Sequence, residues 1–190
     1  MSAEPLVDQR WRFTVEEYEQ MGRVGIFAED DRVELLDGEI VAMSPIGPKH
    51  ASIVNRLTRL LVQGVGEQAL VIVQNPLRLL PRSEPQPDFI VARSRRDFYA
   101  GAHPTAEDVL LVIEVADSTL RKDRLVKVPI YARQGVVEVW LVDVAAREVT
   151  VYAQPGDGGY RHVVTARDEE QLSPLALLQL RLTVRDILGA

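Results

Sequence analysis

Apolar residues recur along this chain with two different periods, and the switches between them mark out its elements. Ile53, Val54, Leu57, Leu60 and Leu61 follow the spacing of one helix face, which predicts a helix over 49–65. Elsewhere the apolar residues come in short blocks bounded by turn residues. These predict strands over 69–74, 77–80, 88–92, 109–115, 136–143, 147–153 and 160–165, and a strand-like tail over 176–182. Residues 32–36 and 39–43 flank Asp37-Gly38, a two-residue turn that predicts an antiparallel hairpin. Alternation sets Val33 and Leu35 on one hairpin face and Glu34 with Leu36 on the other, and position alone makes Glu34 a surface carboxylate.

Polar punctuation completes the pattern. Thr14 can cap a short helix over 13–18, with Glu17 completing a capping box and Phe13 and Tyr18 placed as a hydrophobic staple. A second helix lies between 117 and 135, with Asp117 or Ser118 as its cap and Gly135 as its end. Pro129 removes its hydrogen bond to the Leu125 carbonyl and predicts a kink. The turn at 155–159 separates the last two long strands, and a short helix starts at Thr183. The expected architecture is α/β (α+β): a mixed sheet flanked by helices, with an N-terminal β-hairpin. Residues 1–12 form a loose arm and 13–190 one domain.

Composition narrows the class. With 190 residues, 46% of them hydrophobic, the chain is long enough to bury a stable core. There is no cysteine, so disulfides and thiolate metal sites are excluded. No apolar run approaches the roughly 20 residues that span a bilayer. The first residues, MSAEPLVDQRWRF, lack the basic and apolar regions of a secretory signal, so a cytoplasmic protein is expected, with no membrane partner. A net charge of −6 argues against a protein that coats nucleic acid, but not against an enzyme with an acidic site that acts on it.

Three charges interrupt apolar elements. Asp88 opens one strand, Glu114 sits inside another between Ile113 and Val115, and Lys127 lies on the helix beside apolar residues. Buried carboxylates are costly unless paired or metal-bound. Two readings therefore stand: a buried Glu114–Lys127 ion pair, or two acids around a hard cation, Mg²⁺ or Mn²⁺. His50 begins the 49–65 helix on its apolar face, where the helix N-terminus lowers its expected pKa and favours a neutral imidazole. Arg93, Arg95 and Arg96 form a basic cluster that reads equally as a solvated loop or a phosphate contact.

The ordered segments RVELLDGEIVAMSP, GPKH, QPDFIV, LLVIEVADST and KVPIYARQGVVEVWLVD resemble the Uma2 family, assigned to the restriction-endonuclease-like PD-(D/E)xK superfamily, from about Phe13 to the C-terminus. The resemblance implies a metal-dependent endonuclease acting on DNA. Asp88 and Glu114 would be metal ligands, with the Val115 carbonyl as a third. Ala116 stands where the superfamily lysine belongs, and Lys127 replaces it from the following helix. The resemblance also implies site roles for Glu34, as a further ligand, and for His50. Asp117 departs from the family's usual pattern and reads as a helix cap. Superfamily analogy implies a homodimer. A non-catalytic binding or assembly module with the same fold is the rival reading.

Overall fold

The computed structural model describes residues 10–28 and 30–189; residues 1–9 of the expected arm lie outside the described residues. Helix α1 (Val15–Arg23) starts with the expected capping box: the Glu17 amide donates to Thr14 Oγ1 at 3.2 Å, and the Thr14 amide donates to Glu17 Oε2 at 2.8 Å. Tyr18 packs on Phe27 and donates to the Val33 carbonyl at 3.0 Å. Strands β1 (Val33–Leu36) and β2 (Glu39–Ala42) form the hairpin. Asp37 and Gly38 both have positive φ, 48° and 80°, the geometry whose twist matches a two-residue hairpin. Arg133 grips the Asp37 carboxylate through both oxygens at 2.8 and 2.6 Å and pins this turn to the rest of the molecule.

Helix α2 (Pro48–Val65) leads into a six-stranded sheet of β3 (Ala69–Val73), β4 (Phe89–Arg93), β5 (Val109–Ala116), β6 (Glu138–Asp143), β7 (Glu148–Gly156) and β8 (Gly159–Arg167), lying side by side in that order. Only β5 and β6 run parallel. A parallel pair needs a crossover, and here it is helical: α3 (Leu120–Lys122), a π turn over Asp123–Lys127, and α4 (Val128–Arg133). Alternation along β5 feeds two cores. Leu111, Ile113 and Val115 pack with Leu57 and Leu61 of α2, while Val112 packs with Ile130 and Tyr131 of α4. Glu114 shares the face of Val112.

Several expectations are corrected. Residues 77–80 are not a strand but make isolated bridges, Arg78 to Thr105 and Leu79 to Ser83, because Pro76 and Pro81 bracket the block. The tail over 176–182 is turns: the Leu180 amide bonds to the Leu177 carbonyl at 2.9 Å, and burial falls on Leu177 and Leu180 with turn spacing. Only Leu182–Thr183 (β10) pairs, with Gln171–Leu172 (β9), before α5 (Val184–Leu188). β7 continues through Pro155 to Gly156, so the turn there shrinks to Asp157-Gly158. The helix after β5 starts at Thr119, not at Asp117 or Ser118. The break expected at Pro129 takes the form of the π turn just before it, in which the Val128 amide bonds to the Asp123 carbonyl.

A buried acid between α1 and the hairpin gives a first test. Burial, then the charge of Glu19, push Glu84 up to about 7 against the pull of Arg78. Its folded pKa is raised above the ordinary 4.5, so its contribution is fully present below 4.5 and is lost as pH rises through about 7. Glu84→Gln is expected to gain on the order of 2–3 kcal/mol relative to wild type between pH 5 and pH 8. Urea midpoints at the two pH values check this, and an unchanged difference would refute it.

Candidate functional site

The C-terminal end of β5 opens into a polar cleft lined by Arg32, Glu34, His50, Asp88, Glu114 and Lys127, among others. A parallel strand pair ends here, and the crossover must climb away from it, which leaves the gap. Asp88 lies just before β4 and is buried. Its Oδ1 accepts from His50 Nε2 at 3.0 Å and Gln74 Nε2 at 3.1 Å, and its Oδ2 accepts from the Val115 amide at 2.8 Å. Burial is the largest single influence and would raise its pKa, but the His50 hydrogen bond and charge, joined by the Val115 and Gln74 hydrogen bonds, together hold the carboxyl below its ordinary value. The same contact reverses the expectation for His50. Its pKa is raised, first by the Asp88 hydrogen bond against the opposing effect of burial, because a carboxylate in contact outweighs the helix N-terminus. His50 Nδ1 is buried without a hydrogen-bond partner.

Lys127, 3% exposed, is the hub of the other half. Its Nζ lies 2.7 Å from Glu114 Oε1, 3.3 Å from Glu34 Oε2 and 3.4 Å from the Gln86 carbonyl. Glu34 is fully buried, so the surface position expected from alternation is wrong: the hairpin folds back and the Glu34–Leu36 face points inward. Both its oxygens are taken: Oε1 by Lys122 at 2.8 Å, and Oε2 by Lys127 and the Gln86 amide at 3.2 Å. Burial would raise Glu34, and Lys127 and Lys122 more than reverse it. Glu34, implied as a metal ligand, lies in the same cleft as Asp88 with two ammonium groups against its carboxylate.

The π turn explains how two lysines reach one acid. Positions five apart on an α-helix lie about 140° apart around the axis. A turn closed by an i→i+5 bond stacks them instead, so Lys122 and Lys127 face the same way.

Glu34, Glu114 and the buried Asp123 surround the Lys127 ammonium. One acid is left to carry a proton. Burial above all makes it Glu114, pushed up to about 8 against Lys127, with Asp123 and Asp88 adding to the shift. Burial would lower Lys127, yet Glu114, Glu34 and Asp123 raise it, so it stays cationic. Tyr131, fully buried on α4, donates to Glu114 Oε1 at 2.6 Å.

These contacts bear on a cation. Among the described residues no group of three or more His, Asp and Glu is arranged to hold a metal ion. Two acids and a backbone carbonyl are the set at hand. Both partners of Glu114 sit on Oε1, which leaves Oε2 free in the cleft, and the cluster has a surplus of acid that a divalent cation would neutralise. The oxygen donors therefore fit Mg²⁺ or Mn²⁺. The basic cluster at Arg93, Arg95 and Arg96 lies at the far end of β4 from Asp88 and takes no part. Gln74, Gln86, Lys122, Asp123 and Tyr131 were not assigned site roles from the sequence. Asp123 and Tyr131 left a signal, one turn before and one turn after Lys127.

A mixed sheet with helical cover of this kind is shared with a solved structure. A crystal structure from Anabaena variabilis, described as a "putative nuclease belonging to DUF820", matches with a TM-score of 0.76 over 93% of this chain and 98% of that one, at 17% identity. No curated protein matches. The family model for Uma2, "Putative restriction endonuclease", matches residues 15–185, and the chain belongs to that family. Among the described residues no helix is long and apolar enough to cross a membrane.

Proposed function

We propose that this protein is a divalent-metal-dependent nuclease that hydrolyses DNA phosphodiester bonds. The observation that carries this reading is the buried Lys127, held between Glu114 and Glu34 at the mouth of a cleft that also contains Asp88. Asp88, Glu114 Oε2 and the Val115 carbonyl would hold Mg²⁺ or Mn²⁺. Bound there, the ion acts as a Lewis acid on the phosphate and acidifies a water.

The chain's own groups do the rest. Lys127 is fixed by two carboxylates, so its ammonium meets developing charge on a phosphoryl oxygen without first reorganising. His50 and Gln74 hold Asp88 in one orientation, and the Val115 amide ties it to β5. Tyr131 fixes Glu114 through Oε1 and directs the other oxygen to the cleft. Arg32, whose side chain makes no hydrogen bond or ion pair with a described residue, lines the cleft where a polyanion would approach.

Incubation with supercoiled plasmid and single-stranded DNA, with and without Mn²⁺, tests the reading. Metal-dependent nicking or degradation is expected. Intact DNA at millimolar Mn²⁺, with no thermal stabilisation by the ion, would favour a non-catalytic module.

A further inference from the structure

A second groove joins the cleft on the side of the π turn. Ser118, Thr119 and Lys122 line both, and Arg121, Leu125 and Val126 continue the wall outward. Three features of this wall point to a ligand. Arg121 is exposed and makes no hydrogen bond or ion pair with any described residue, in a chain of net charge −6. Lys122 spends one of its three donors on Glu34 and keeps a quarter of its side chain exposed. Leu125 and Val126 remain 61% and 39% exposed directly beside these cations.

A cation pair beside the Ser118 hydroxyl suits a phosphate, the Thr119 hydroxyl being donated to Asp123, and the apolar residues suit the sugar and base attached to it. Protein contacts of this kind position a nucleic-acid strand without reading its sequence. The groove shares Ser118, Thr119 and Lys122 with the cleft, so a phosphate held here would neighbour the one at the metal ligands.

We infer that the Ser118–Thr119–Arg121–Lys122 groove is a subsite for a phosphate flanking the reacting one on a nucleic-acid strand, with Leu125 and Val126 along its sugar–base side. This rests on the nuclease reading. It adds that the substrate is a polymer gripped beyond the scissile bond, not an isolated phosphodiester.

The test is binding rather than cleavage. Anisotropy of a labelled single-stranded oligonucleotide is followed across a salt titration, without divalent ion and with Ca²⁺. Arg121→Glu is expected to weaken binding and to flatten the slope of log K against log salt by about 0.7, the loss of one phosphate contact to a single strand. Arg121→Lys keeps the slope. Arg96→Glu, in the remote basic cluster, behaves as wild type. If wild type binds and Arg121→Glu matches it in affinity and slope, the subsite is refuted and the nuclease reading stands. An equal loss in Arg96→Glu also refutes the subsite, since general charge then suffices. If wild type binds no oligonucleotide under either condition, the subsite is refuted, and cleavage of plasmid and single-stranded DNA with Mn²⁺ decides the nuclease reading separately.

Discussion

Lys127→Met is expected to destabilise the protein by about 3–5 kcal/mol, the usual loss when one partner of a buried ion pair is removed. The methylene stem survives in methionine, so the packing against α4 changes little. What goes is the ammonium between Glu34 and Glu114, at 3.3 and 2.7 Å, leaving two buried acids facing each other. Urea denaturation at two pH values measures the effect. The penalty shrinks towards pH 5, because protonation of the orphaned acids relieves it. Lys127→Met/Glu114→Gln recovers part of the stability, since a neutral amide no longer needs a counter-charge, yet restores no cleavage. A Lys127→Met protein as stable as wild type at pH 8 would show that the ammonium is not the hub of this cluster.

Asp88→Asn separates chemistry from folding. The two side chains have nearly the same shape. The amide turns one acceptor into a donor, facing either the Val115 amide or the His50 and Gln74 donors, at a cost of about 1–3 kcal/mol. The native fold is expected to persist by circular dichroism. Cleavage is expected to fall by two to three orders of magnitude or more, about the value of several kcal/mol of transition-state stabilisation at 1.36 kcal/mol per tenfold. Mn²⁺ is expected to raise the melting temperature of wild type and to leave that of Asp88→Asn almost unmoved. Full activity in Asp88→Asn would remove the metal-ligand role, and loss of fold would be seen at once in the spectrum.

Much of the framework is legible in the sequence because it is written in local terms. The Asp37-Gly38 turn, the apolar face of α2 and the unbroken apolar run of β5 each carry their own signal, and each appears where expected. Two errors came from reading short segments without their surroundings. Residues 77–80 have strand-like composition, but prolines on both sides deny them a ladder. The tail after Ser173 carries many leucines whose spacing follows turns rather than strand alternation.

The site is less local. Asp88, Glu114 and Lys127 stand out because a charge in an apolar run is anomalous on its own. Glu34 does not, since its burial depends on where a hairpin docks, and the docking partners are distant in sequence: Leu35 bridges Glu84, the Gly38 amide bonds the Arg82 carbonyl, and Lys122 reaches Glu34. The protonation of His50 is likewise settled by a partner from another element, which local helix electrostatics cannot anticipate. Lys122 is hidden for a different reason: its alignment with Lys127 requires a turn that is not α-helical.

That turn also acts as an insertion. It holds one residue more than the helix on either side of it would use. Removing Val126 would let Asp123–Lys127 close as ordinary α-helix with Lys122 and Lys127 four apart, only about 40° around the axis, so both would still face Glu34. What the deletion takes away is an exposed apolar residue of the groove wall, while the buried cation and the sheet beneath it keep their places. A change of one in chain length at this point is thus absorbed by the turn without parting its two lysines.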